Sequence, residues 1–219
     1  MNKFNTDWKS KLIDLLIVII GITIAFQLNN LNESNKSTAK EKDYLKSFYE
    51  ENRDNESSLS LALEFTLKTK NDIDSLKRIL LSKDYQDDRI KDLTASMMVS
   101  SDFNPSLITM ENITASGDFE LISSFEYREK IIDTYNSYQT TLQLEGILSD
   151  YVNQYVTPFF FENVRFSDFT SLTENFMINP EFENIVFGYD ALLTQKLRGY
   201  EENIVKLKKL NLLLTDAKK

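Results

Sequence analysis

The chain has no cysteine and no histidine among its 219 residues. The first absence excludes disulfides and thiol nucleophiles. The second excludes Ser-His and Cys-His catalysis and histidine-ligated haem, and together they exclude structural zinc of the usual kind. Glycine and proline are nearly as scarce, at five and three. A chain so poor in turn formers is built from long helices rather than many short strands. Basic charge is also short, with 25 Lys and Arg against 34 Asp and Glu, a net charge of −9. No basic stripe is available to displace counterions from phosphates, so nucleic acid is not an expected partner.

What is present is a single strongly apolar run, LIDLLIVIIGITIAFQL at residues 12–28. As a helix it extends roughly 25 Å, just under the hydrocarbon thickness of a bilayer, and Trp8 and Leu31 can lengthen the span. A cleaved signal peptide would end in a small-x-small site, whereas this run ends in Gln27, Asn29, Asn30 and Asn32. The expectation is an uncleaved signal-anchor: a short segment at 1–11, a transmembrane helix at 12–31 and an extramembrane α-helical domain at 32–219. Lys9 and Lys11 abut the run, while residues 29–35 carry no basic side chain and Lys36, Lys40 and Lys42 come later. Positive-inside counting then puts the N-terminus in the cytoplasm and the domain on the far side, in the periplasm of a bacterial inner membrane.

Beyond the anchor, Leu45, Phe48, Leu59, Ala62, Thr66, Ile73, Leu76 and Leu80 recur largely at helical spacing, with no glycine or proline between 36 and 82. The spacing predicts a first helix of about 40 residues that can be continuous with the anchor. A turn at Ser82 to Tyr85 and a short helix from Asp88 to about Ser100 follow. Asn104-Pro105 predicts a capped helix running to Ser116 and ended by Gly117. Ser123 and Glu126 fit a capping box, with Ile122 and Tyr127 as its staple. The helix they open carries Tyr127, Ile131, Tyr135, Tyr138, Leu142, Leu148, Tyr151 and Tyr155 along one face, reads as core with hydroxyls at the bundle edge, and stops before Pro158.

Residues 159–189 hold eight of the fifteen phenylalanines, with Asn179-Pro180 opening a helix inside the stretch. The last helix, from about Tyr189 to Thr215, has a near-heptad, coiled-coil-like seam of Tyr189, Leu193, Leu197, Tyr200, Ile204, Leu207, Asn211 and Leu214. Residues 190–219 carry seven basic and four acidic side chains, residues 41–64 seven acidic and three basic. Antiparallel docking of the last helix on the first would pair these surfaces. The fold class is therefore all-α: a transmembrane helix, then an elongated antiparallel bundle with a long first helix.

Several segments resemble a known family. The anchor ending IIGITIAFQLNNLNES, the segment ENITASGDFELISSFEYREKIIDTYNSY and the aromatic-to-heptad C-terminal third are similar to single-pass membrane proteins of Bacteroidota that carry a domain-of-unknown-function label. The middle pattern rests on Ser116-Gly117, Leu121-Ile122, Arg128, Ile131-Ile132 and Tyr135. It departs at Leu31, where tryptophan is usual and an interfacial aromatic is lost. The resemblance implies an anchor plus a helical domain, and no activity or catalytic residues.

Two groups of residues are candidate sites. Asp14, Gly21 and Ala25 share one anchor face, and Gly21-x-x-x-Ala25 would let two helices approach closely. Asp14 is an ionisable anchor residue near the membrane edge, one turn from Lys11, suited to an interfacial pair or a contact with a partner helix. Phe161, Phe166, Phe169, Phe176, Phe182 and Phe187 could line an apolar pocket or docking patch, or simply cap the bundle. The adjacent carboxylates Glu50-Glu51, Asp87-Asp88 and Glu201-Glu202 diverge by about 100° on a helix and form no dyad. No calcium-loop pattern occurs either. These features suit a non-enzymatic, cofactor-free assembly, scaffold or accessory subunit of an envelope complex, in contact with the lipid bilayer and with its own copies or another membrane protein. The alternative is a ligand-sensing domain with its pocket in 159–189.

Overall fold

The computed structural model describes residues 4–172 and 175–216, with side chains described for 8–172 and 175–215. One unbroken helix, α1 (Phe4–Ser82, 79 residues), joins the apolar run to the body of the protein. It is followed by α2 (Ile90–Ala95), which tightens into a 3₁₀ turn at Ser96–Met98. Next come α3 (Ile108–Ser116), a 3₁₀ turn at Asp118–Leu121 and α4 (Phe125–Tyr151). A π turn at Val152–Val156 passes into α5 (Thr157–Asn163). Antiparallel strands β1 (Val164–Arg165) and β2 (Thr170–Ser171) form a small ribbon. A 3₁₀ turn at Phe176–Ile178 then leads into α6 (Pro180–Asp216). The all-α expectation holds.

From Tyr44 onward one face of α1 is buried, and α4 and α6 complete a three-helix core. α1 and α4 run the same way and α6 returns against both, so Leu207, Leu210 and Leu214 meet Leu45 and Phe48 at the end of the head nearer the apolar run. At the far end Ile73, Leu76, Leu148, Phe159, Phe160, Phe182 and Leu193 make a second cluster. The segment between α2 and α3 descends alongside, placing Phe103 against Tyr138 with ring centroids 5.3 Å apart.

Several local expectations give way to tertiary contacts. Asn104-Pro105 does not open a helix; α3 begins at Ile108, and Leu107 at its N-cap offers no side-chain cap. Glu51 of α1 supplies the acceptor instead, taking the Thr109 N–H at 2.9 Å and the Ser106 hydroxyl at 3.0 Å. The cap of α4 is Ser124, not Ser123, and accepts from the Tyr127 N–H at 3.4 Å. Ser123 donates its N–H and hydroxyl to Glu41 across the head. Pro158 does not stop the fourth helix, because the π turn resets the backbone register and delivers Pro158 to the first turn of α5, where a missing N–H costs nothing. Asn179-Pro180 opens its helix as expected, and that helix is already α6, continuous through Tyr189.

Two side-chain expectations also change. The Tyr135 and Tyr138 hydroxyls do not reach the edge; they donate inward, to Glu51 and to Asn52 Oδ1. The ion pairs described between α1 and α6 run opposite to the charge-patch expectation, with Lys70 and Lys77 of α1 meeting Asp190 of α6. In the register where the patches face one another, the described contacts pass through asparagines, and Asn211 Nδ2 donates to Glu56 Oε2 at 2.5 Å. Asn52 Nδ2 donates to the Leu207 carbonyl at 3.1 Å and to Asn211 Oδ1 at 2.9 Å.

Candidate functional site

From Trp8 to Lys40, α1 is exposed on every face. Leu12, Ile13, Leu15, Leu16, Ile17, Val18, Ile19, Ile20, Ile22, Ile24, Phe26 and Leu28 are all exposed, and the most apolar 18-residue window has mean hydropathy 2.2 with no share of it buried. By length and composition this helix can cross a membrane. Exposed isoleucine, valine and leucine all round a helix is what hydrocarbon solvates and water does not. Backbone groups along it are satisfied within the helix, and Thr23 returns its hydroxyl to the Ile19 carbonyl at 2.8 Å. Asp14, Gly21 and Ala25 lie on this exposed stretch, and a Cβ at Gly21 would meet nothing within 4 Å.

The head begins where α1 gains partners. Lys40 Nζ and the Tyr44 hydroxyl both donate to Asp118 Oδ2, at 3.2 and 2.9 Å. The Tyr44 bond first, and the Lys40 bond second, hold the Asp118 carboxyl below its ordinary value. Glu41 Oε1 accepts the Ser123 N–H at 2.6 Å. These contacts fasten the turns around α3 and α4 to α1. From Leu31 to Lys40 the helix rises about 13 Å, and from Leu31 to Ser82 about 75 Å. A rod thus carries the head a short, set distance beyond the apolar run.

An open groove of about 930 Å³ lies near this junction, lined by Phe119, Phe125, Arg128, Ile132 and Asp133 among others. Arg128 donates to the Ile122 carbonyl at 2.6 Å and Asp133 accepts from Lys206 at 2.7 Å, while Glu120, Glu129 and Lys130 also line the groove.

The six phenylalanines do not form one site. Phe176 and Phe182 are core, 2% and 0% exposed, with centroids 5.2 Å apart. Phe169 packs on Phe160 and Phe176 from the β-ribbon turn, with φ of +59° and Lys91 over its ring at 6.0 Å. Phe187 is half-buried beneath Lys77, whose Nζ stands 4.9 Å from the ring centroid. Phe161 and Phe166 are exposed and touch each other, with centroids 5.2 Å apart. The first four close the end of the bundle, and the last pair faces solvent.

Sequence reasoning did not single out Glu51 and Asn52 as organisers of the head. Glu51 gathers Ser106, Thr109 and Tyr135; burial first, and the Glu51 bond second, push the Tyr135 phenol well above its usual range. A signal was available in the polar gap that Asn52 and Asn55 make in the apolar stripe of α1. Among the described residues, no three acidic, cysteine or histidine side chains converge as a metal site would require. Comparison with protein families, curated proteins and solved structures finds no match to this chain.

Proposed function

We propose that this protein is a single-pass membrane protein in which α1 is at once the anchor and the spine of an extramembrane head, and that it acts as a non-enzymatic assembly, scaffold or accessory subunit. The observation that carries the reading is the continuity of α1: an exposed apolar stretch passes without a break into the core helix of the head. A flexible linker would let a head search for ligands, whereas a continuous helix holds a surface at one height and heading. The reading places the N-terminus in the cytoplasm and the head in the periplasm of a bacterial inner membrane, on the lysine asymmetry around the run. It is in keeping with the anchor-plus-helical-domain proteins of Bacteroidota that the sequence resembles.

The Gly21/Ala25 face is the proposed contact between anchors, since small residues four apart allow close helix approach in lipid. Native mass spectrometry of the detergent-purified protein tests the reading. A defined oligomer, or a stoichiometric co-purifying membrane protein, is expected. A lone monomer in mild detergent with no companion overturns it.

A further inference from the structure

A polar belt crosses the head between its two apolar clusters. Thr66 and Thr69 of α1, Thr141 and Glu145 of α4, and Lys196 and Asn203 of α6 are all buried there. The threonines bond to carbonyls of their own helices, and Asn203 bonds to Thr141 and Ser137. Glu145 and Lys196 are different, because they are charged side chains only 8% and 3% exposed. Well-packed apolar residues at such positions are often as stable or more so, so stability alone does not account for the pair.

Both line a small cleft of about 70 Å³, walled by Met97, Met98, Leu148 and Val152. Tyr189, 2% exposed, Asp102, Val99, Ser100 and Ser149 complete it, and Ser100 donates to Asp102 Oδ2 at 3.2 Å. Lys196 Nζ donates to Asp102 Oδ1 at 2.6 Å, so the cation is already neutralised. Glu145 takes the Phe103 N–H at 2.7 Å and the Tyr200 hydroxyl, both on Oε1. Among the described residues, Oε2 of Glu145 and the hydroxyl of Tyr189 have no hydrogen-bond partner. With Glu145 ionised, the cleft holds one negative charge more than it holds positive. Its two carboxylates are too few for a metal cage, and its size suits a molecule of a few heavy atoms.

We propose that this cleft binds a small primary ammonium ion, an aliphatic amine of a few heavy atoms, with Glu145 as counter-ion and Tyr189 supplying a hydroxyl and an aromatic face. The ammonium donates to Glu145 Oε2, and the Tyr189 ring and the methionine walls receive the polarised methylenes beside it. Burial raises the Glu145 pKa, opposed by the Tyr200 and Phe103 bonds; Asp102 adds to the rise and Lys196 opposes it. A bound cation would restore the ionised form. Val152, which opens the π turn, lies on the cleft wall, and π turns recur at functional positions in helices. This inference goes beyond the anchoring role and stands without it.

The test is methyl NMR of the full chain in micelles, labelled at its methionine methyls and titrated with ethanolamine to about 50 mM, a range generous for so small a ligand. Saturable shifts of Met97 and Met98, with Met110 and Met177 unmoved, are expected. Glu145→Gln should weaken the midpoint at least about tenfold, the loss of one buried charge-assisted bond. Tyr189→Phe, which keeps the ring, should weaken it several-fold and serves alone if Glu145→Gln fails to fold. Absence of shift at Met97 and Met98 would mean that the cleft holds only water and would overturn the proposal. So would equal shifts with sodium acetate, or an unchanged midpoint in a folded Glu145→Gln or Tyr189→Phe protein.

Discussion

Asn55 of α1 grips Ser106 by both ends of its amide: Nδ2 donates to the Ser106 carbonyl at 2.9 Å, and the Ser106 N–H donates to Oδ1 at 2.8 Å. The amide copies the pairing a neighbouring strand would offer, and it ties the segment before α3 to α1. Asn55 is 2% exposed and Ser106 is half-buried, so removing the amide would leave a partly buried N–H and carbonyl without these partners. Asn55→Ala is expected to destabilise the head by about 2 kcal/mol. Chemical denaturation followed by far-UV circular dichroism measures it. A change within error of zero would mean that the pairing contributes nothing net.

Glu145 sets a pH dependence. Its folded pKa is raised, chiefly by burial, so the folded state holds the proton more tightly than the unfolded chain. Its contribution to stability is therefore greatest below the unfolded carboxyl value and is lost as pH rises through the folded one. Glu145→Gln, which stays neutral, should flatten that part of the stability-pH curve. Melting temperatures of both proteins measured from pH 4 upward should diverge with rising pH, with the wild type falling more. Parallel curves would contradict the assignment.

Gly188 sits beneath Tyr151. A Cβ there would collide with the tyrosine oxygen and lie 2.8 Å from Cζ, so Tyr151 would have to move. Tyr151 is itself held by its hydroxyl bond to the Ile185 carbonyl at 3.1 Å. Gly188→Ala should cost about 1–3 kcal/mol despite alanine's better helix propensity. Gly188→Ala with Tyr151→Leu should recover much of that loss, read as a non-additive double-mutant cycle.

The phenylalanines should divide by position. Phe182 is fully buried and stacks on Phe159 with ring centroids 5.7 Å apart. Phe182→Ala should cost about 3–5 kcal/mol. Phe161, 67% exposed, should cost under about 0.5 kcal/mol on the same change. Equal costs at the two sites would show that the pair on the surface is covered in solution.

Where a feature depends on residues close in sequence, it was legible. Asn179-Pro180 starts a helix because the Asn179 side chain accepts the Glu181 N–H at 2.9 Å and proline has no N–H to lose. Gly117 ends α3 in the left-handed region at φ +71°, which few other residues tolerate. Five of the eight seam positions of α6, Tyr189, Leu193, Tyr200, Leu207 and Leu214, are buried, and Leu197, Ile204 and Asn211 are half-buried. Asn104-Pro105 carries the same local signal as Asn179-Pro180 and failed, because Asn55 and Glu51 compete for the segment from another helix. The Pro158 stop failed for a related reason: a π turn just before it moved the proline to a tolerated position.

By itself, the sequence determined that this is a long-helix protein with an apolar rod at one end, since hydropathy, spacing and the want of glycine and proline act through neighbours along the chain. Tertiary structure alone decided that Glu145, Lys196, Asp102 and Tyr189 share one cleft. They come from helices and a loop far apart in the chain, and no local pattern records which faces will meet when two apolar clusters pack above and below a buried charge.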